Sequence, residues 1–368
     1  MSQKVFFADL RSGPRENLHH KLKRLLDKAG VDTLVRKADL VAVKLHFGEK
    51  GNTAFIRPIL IRDIIEKIAT LGGKPFLTDT NTLYRGERGE SVSHLVLALE
   101  HGFSFATVAA PVIIADGLRG NDSVRVQIEA KHFDEVSIAA SIANADMLVS
   151  AAHFKGHELT GFGGTLKNLG MGCASREGKL KQHSDISPKV TAKECIACGK
   201  CMEHCPVGAI TMVNEKARIN QNLCIGCAQC ITACSVGAVK INWNESTELF
   251  QEKMVEYAYG VFACHGRKSV YLNFLTGISP ACDCYGHADS PIVPDIGILA
   301  SRDPVAIDQA SADLVNAQEG FINCALKTNR KKGKDKFRGI YPAVDWELQL
   351  SYAEKLGMGT RSYKIIEI

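Results

Sequence analysis

Two stretches of this 368-residue chain are near copies of each other. "CIACGKCMEHCPVGAI" at 195–210 and "CIGCAQCITACSVGAV" at 224–239 agree at eight of sixteen positions, every cysteine included. Each carries the spacing C-x2-C-x2-C-x3-C. The whole chain has 13 cysteines, and its N-terminus, "MSQKVFFADLRSGPREN", lacks the basic segment and apolar run of a signal peptide. In a reducing compartment disulfides are disfavoured and clustered cysteines more often bind metal. A zinc site would use two C-x2-C pairs per tetrahedral ion, whereas this pattern offers triplets with an outlying fourth residue.

That pattern is the one in which each triplet wraps three corners of a cubane cluster and the fourth cysteine of each run ligates the other cluster. It assigns Cys195, Cys198, Cys201 and Cys234 to one [4Fe–4S] cluster, and Cys224, Cys227, Cys230 and Cys205 to a second. Pro206 follows the first run as it does in two-cluster bacterial ferredoxins; Ser235 stands in the matching place of the second. Four cysteine ligands leave no open iron, so the expected task is one-electron transfer. Between residues 186 and 245 there are six Lys or Arg and four Asp or Glu, so the segment is not a strongly acidic diffusing carrier. It reads as a tethered wire.

The flanking sequence follows different rules. "KVFFADL", "DLVAVKLHFG", "KPFLTDT", "PVIIADG" and "ADMLVSAAHF" read as strands, the longer ones apolar enough to be buried on both faces. Between them "ENLHHKLKRLLDKAG", "PILIRDIIEKIATLGG" and "SVSHLVLALEHG" read as helices. "VRVQI" and "DEVSI" suggest a hairpin. The alternation resumes after the repeat, with "STELFQEKMVEYAYG" and "DPVAIDQASADLVN" as helices and "SVYLNFL" and "DIGILA" as strands. The expected fold is an α/β layered body with a largely parallel sheet, interrupted by a small α+β ferredoxin-like insert. The expected boundaries are 1–186 for the first part of the body, 187–243 for the insert and 244–368 for the second part.

The strings "VKLHFGEKGN", "SAAHFKGHELTGFGGTLKNLGMGCASREGKLKQHSD" and "ISPACDCYGHADSPIVPDIGILASRDPVAIDQASADLV", with the repeat, resemble a known family. It comprises iron–sulfur proteins of anaerobic bacteria and archaea and is catalogued as domain of unknown function 362. The resemblance runs from about Lys44 to about Asn316. It implies the two clusters and an oxidoreductase-like role, without a reaction or a substrate.

A wire needs an end, and four loops offer one. "HFKGHELTGFGGTLKNLGMG" follows a core strand, where ligands bind in open parallel sheets. His153, Lys155, His157 and Lys167 there supply proton transfer and anion binding. The loop is not a dinucleotide fingerprint, because Leu166 stands where the last glycine is needed. No phosphate-binding G-x-x-x-x-G-K-[ST] occurs either. "KLHFGEKGN" offers Lys44, His46 and Glu49, and "TDTNTLY" offers Asp79, Asn81 and Tyr84. "ACDCYG" sets Cys282 and Cys284 two residues apart around Asp283. That loop is expected to bind a soft metal or a third cluster, completed by Cys173; the plainer reading is a pair of buried free thiols. Asp303, before Pro304, reads as a helix N-cap.

"KTNRKKGKDKFR" at 327–338 holds seven cations and one acid, a solvated loop or a docking patch for an acidic electron donor. Formal charge is +5, and two cubanes at about −2 each would bring it near +1, so nucleic acid is not expected as a partner. The expected protein is a cytoplasmic electron-transfer oxidoreductase. It would take electrons from a ferredoxin-like or other redox protein and reduce a small molecule or metal centre. The alternative is a non-catalytic ferredoxin-type subunit docking to a larger redox enzyme.

Overall fold

A computed structural model describes residues 2–84, 86–184, 188–241, 246–266 and 268–368. The boundaries expected at 186/187 and 243/244 lie outside the described residues. The body is one eight-stranded sheet. Across it the strands run Tyr363–Glu367, Gln3–Asp9, Gly297–Ser301, Ser269–Leu275, Met147–His153, Leu40–Lys44, Lys74–Asp79 and Val112–Ile114. Neighbours are parallel except where Gly297–Ser301 runs against both of its own. Strands from before and after the repeat thus share one sheet, and every strand and helix expected from the sequence is present.

The pleat explains the near-continuous apolar runs. Along Met147–His153 all seven residues are buried, with Leu148 in one core and Met147, Val149 and Ala151 in the other. The first core lies under the helices Thr247–His265 and Pro304–Asn316; the second lies under Leu18–Lys28 and Pro58–Thr70. Each fully buried Leu, Ile or Val side chain contributes roughly 1.5–3 kcal/mol to such a sandwich. Asp303 is the N-cap expected of it, accepting from Val305 N at 2.9 Å and Ala306 N at 2.8 Å.

The cysteine repeat builds a third, smaller core. Its frame is a hairpin of Ile210–Val213 with Lys216–Ile219 and two short helices, Lys200–Glu203 and Gln229–Ala233. The two ends of the segment pair with each other, Lys189–Val190 against Val239–Lys240, so the chain leaves and rejoins the body at one place. Leu83 and Leu180 of the body pack into this third core. Buried Arg176 crosses the same seam, donating to Thr232 Oγ1 at 3.2 Å and to the Thr82, Gly89 and Arg119 carbonyls of the body.

The basic run at 327–338 is less uniform than its composition. Lys327, Lys331, Lys332 and Lys334 are exposed. Lys336 is buried, and its Nζ donates to the carbonyls of Asn316, Lys331 and Lys334 at 3.1, 2.9 and 2.9 Å. The segment is wrapped around one of its own cations.

Candidate functional site

Strand order fixes where a cavity opens. From Leu40–Lys44 the chain proceeds to Lys74–Asp79 on one side and later returns to Met147–His153 on the other. Between strands whose onward connections diverge, the carboxyl ends leave a crevice. A cavity of about 530 Å³ lies there, within the usual range for small-molecule sites. His46, Asp79, His153, Lys155, His157 and Lys167, expected from three separate stretches, all line it, as do Lys44, Tyr84 and Cys284.

One wall is a buried ion-pair chain. Lys44 Nζ lies 3.0 Å from Asp79, Asp79 lies 3.2 Å from Arg88, and Arg88 lies 3.4 Å from Glu49. Burial would raise Asp79, but Lys44 and Arg88 outweigh it and hold the carboxyl well below its ordinary value. Burial, aided by Arg88, pushes His46 well below its ordinary value. Gly48 N–H donates to His46 Nδ1 at 2.9 Å, which leaves the proton of the neutral ring on Nε2.

The opposite wall joins two loops. Gly156 makes the joint, because a Cβ there would stand 2.0 Å from the Pro280 carbonyl oxygen. Its own N–H donates to Ser279 O at 2.9 Å. Asp283 is fully buried, with His153 Nδ1 2.9 Å from both carboxylate oxygens and Lys155 Nζ at 3.6 Å. His153 Nε2 faces the Thr276 carbonyl at 2.9 Å. Both partners only accept, so both ring nitrogens donate and neither is left to act as a base. His153 positions the loop.

Cys282 and Cys284 meet on this wall. Lys167 Nζ donates to Cys282 Sγ at 3.4 Å. The Leu159 N–H donates to His157 Nδ1 at 3.2 Å, which leaves Nε2–H for the Cys282 sulfur. A hydrogen bond from Cys284 depresses Cys282 well below an ordinary thiol; burial opposes this, and Lys167, His157 and Lys155 reinforce it. Cys284 is raised in return, by the same bond and by burial. Burial would lower Lys167, yet the two sulfurs and Glu158 hold it above its ordinary value. The surroundings thus favour ionisation at Cys282 over Cys284.

Cys173 is not brought to them. Its thiol is buried, points at Asn168 O at 3.5 Å, and is raised to about 12 by burial. Among the described residues no three His, Cys, Asp or Glu side chains gather closely enough to share one metal ion. The structure therefore joins Cys282 to Cys284 but leaves out the third ligand expected for a centre there. Asn81 is structural, donating to Asp116 and to Gly117 O.

Sequence reasoning passed over Arg88, Asn168 and Lys179. Asn168 links Lys44 to Ser150 across the crevice. Lys179 reaches Thr80 Oγ1 and Ala174 O, and burial pulls it down to about 8. Their cue was available: Arg88 sits in "RGERGES" just after a strand-end loop, and Lys179 in "ASREGKLKQH". Five cations, Lys44, Arg88, Lys155, Lys167 and Lys179, face the cavity against the two carboxylates Asp79 and Glu158. Leu159, Met171 and Phe250 make its apolar part.

The repeat forms two further, much smaller cavities of equal size, about 20 Å³ each. One is lined by Cys195, Cys198, Cys201 and Cys234; the other by Cys205, Cys224, Cys227 and Cys230. No Lys, Arg, Asp or Glu side chain lines either. The loops share a backbone form, with left-handed φ at Ala197 and Gly199 in one and at Gly226 and Ala228 in the other. Ala209 N–H donates to Cys205 Sγ at 3.2 Å, and Ala238 N–H to Cys234 Sγ at 3.1 Å. A cubane spreads four thiolates over the corners of an iron–sulfur core, wider apart than ligands of one ion, and amide donors to sulfur are part of its usual surroundings. These residues fit such a group.

Fold and site together define an α/β protein with a cation- and thiol-lined pocket at a strand-order switch, joined to a module of paired four-cysteine cavities. The chain belongs to the family described as domain of unknown function (DUF362), which matches residues 41–313. No curated protein matches it. Among solved structures it is similar to the lactate racemase apoprotein of Thermoanaerobacterium thermosaccharolyticum, at 13% identity and a TM-score of 0.39 over 74% of this chain and 50% of that one. It is also similar to a Thermotoga maritima protein, at 10% identity and a TM-score of 0.42 over 94% of this chain and 60% of that one. The chain thus spans half to three fifths of the structures it resembles.

Proposed function

We propose that this protein is an iron–sulfur oxidoreductase whose cysteine module passes single electrons to a small anionic molecule held in the body's cavity. The observation that carries this reading is the sorting of eight cysteines, four to each of two equal cavities, in the crossed arrangement that the repeat assigns. Cys195, Cys198, Cys201 and Cys234 would hold one [4Fe–4S] cluster, and Cys224, Cys227, Cys230 and Cys205 the other. When bound, such clusters supply one-electron transfer. The module leans on the cavity wall at Leu83, which belongs both to the third core and to the cavity lining. Leu180 supports the second loop: a side chain added at Gly226 would meet Leu180 Cδ2 at 3.9 Å. Its helix neighbour Lys179 faces the cavity.

In the cavity, Lys44, Lys155, Lys167, Arg88 and Lys179 favour a carboxylate- or phosphate-bearing ligand, while neutral His46 offers an Nε2 proton. The electron donor would be a ferredoxin-like or other redox protein. No described helix is long and apolar enough to cross a membrane. The test is iron and acid-labile sulfide on anaerobically purified protein, with electron paramagnetic resonance after dithionite reduction. About eight irons and eight sulfides per chain are expected. Zinc, or iron without sulfide, would sink the reading.

A further inference from the structure

We propose that Cys282 and Cys284 form a reversible dithiol–disulfide couple, opening on the cavity and exchanging with small disulfides that carry negative charge. The inference concerns the chain's own sulfurs and stands apart from the cluster reading.

Geometry comes first. Tyr285 N–H donates to Cys282 O at 3.1 Å, so residues 282–285 form a tight turn, and within it the Cys284 side chain hydrogen-bonds to that of Cys282. Asp283, between the cysteines, cannot swing away. Its carboxylate is held by His153 and Lys155, and its carbonyl accepts from Glu49 N at 3.0 Å. Tyr84 OH, itself an acceptor from Arg88 at 2.7 Å, donates to Cys284 O at 3.0 Å and fixes the far end of the turn. Cys284 lines the cavity, and Lys167 approaches Cys282 from the opposite helix. A disulfide two residues apart closes a small, strained ring. Strain makes a disulfide more oxidising, the property of labile and catalytic bridges rather than structural ones. The charge arrangement agrees. The surroundings favour ionisation at Cys282 and oppose it at Cys284, the division a thiol exchange needs.

The reaction balances within these groups. The Cys282 thiolate attacks one sulfur of the external disulfide, that S–S bond breaks, and one thiolate leaves. Cys284 then gives its proton to the leaving group and attacks the Cys282 sulfur, releasing the second external thiolate. Two electrons have moved from the pair to the external disulfide, which ends as one thiol and one thiolate. Two electrons and one proton from a reductant, either single-electron iron–sulfur donors or a dithiol, restore the thiolate–thiol pair. The groups facing the sulfurs are Lys155, His157, Lys167 and Arg88, with Glu158 as the nearby acid. Four such donors and one acid favour an anionic partner.

Trypsin isolates the pair, because residues 269–302 contain no internal Lys or Arg and no other cysteine. Residues 303–327 carry Cys324 alone and serve as an ordinary-thiol reference. Folded full-length protein, kept anaerobic, is treated with dithiodipropionate or with neutral hydroxyethyl disulfide and mapped by mass spectrometry. The expected result is a 269–302 peptide lighter by two hydrogens with no adduct, formed faster with the anionic reagent and reversed by dithiothreitol. Lys167→Met is expected to move the pH profile of its formation upward by about one unit, without altering Cys324. A readout on unaltered protein covers a misfolded variant. Because the Cys282 pKa is lowered, its alkylation should hold its rate as pH falls through 8 to 7, where an ordinary thiol of pKa about 8.5 slows. A persistent mixed disulfide, thiols inert under conditions that modify Cys324, or a tightly bound metal protecting the peptide would overturn the proposal.

Discussion

The eight cysteines of the repeat and the pair at 282 and 284 sit in opposite environments. Each four-cysteine cavity is walled mainly by apolar side chains and sulfur, with no Lys, Arg, Asp or Glu among its lining residues and with His204 beside one. Backbone N–H donors lower the partly exposed Cys195, but burial pushes others up: Cys230 reaches about 12, with Cys227 and Cys224 adding to the effect, and Cys201 rises with Cys234 and Cys195 as neighbours. Such thiols stay protonated and inert until a metal replaces their protons. Cys282 is more deeply buried still, yet a hydrogen bond from Cys284, with Lys167, His157 and Lys155, pulls it well below an ordinary thiol. Burial alone does not decide what a cysteine does; the groups placed beside it do.

That contrast can be broken by experiment. The largest effect is expected from Cys234→Ser, which removes the sulfur that the other half of the repeat adds to the cavity of the first triplet, a cluster ligand on the proposed reading. Iron should fall by about four per chain, while thiolate reactivity at Cys282 stays. An unchanged iron content would undo the crossed assignment. Next is Asp283→Asn, which leaves His153 and Lys155 buried without their counter-charge. A loss of about 3–5 kcal/mol in denaturant unfolding is expected, along with slower closure of the 282–284 bridge. Iron content should hold, and its loss would mean that the two regions are not independent. The smallest effect is expected from Asp303→Ala, which removes an N-cap remote from both regions at a cost of about 1 kcal/mol. It should leave iron and thiolate reactivity unchanged, and a change in either would show coupling through the sheet.

The two regions also differ in how much could be read in advance. The grouping of Cys195, Cys198 and Cys201 follows from their spacing, because three residues of chain can bring sulfurs only so far apart. The strands and helices were legible for a similar reason: the apolar run of "DLVAVKLHFG" and the proline and glycines around "PILIRDIIEKIATLGG" act within a few residues. His153 was legible as a cavity residue but not in its role, since nothing near it in the chain announces Asp283, 130 residues away. Cys173 misled because a third thiol is plausible by composition, and only packing turned it toward Asn168.

The sequence by itself therefore determined the alternation of the body, the place of the cysteine repeat and the set of sulfurs each half contributes. All of these depend on periodicity or on spacing along the backbone. Tertiary structure alone decided the cavity. Lys44, Arg88, Lys167, Lys179 and Cys284 span most of the chain and meet because parallel strands carry their ends to one edge of the sheet. Coulombic effects depend on distance through space, not along the chain, so which sulfur the surroundings favour as the thiolate could not be settled until the fold had set Lys167 beside it.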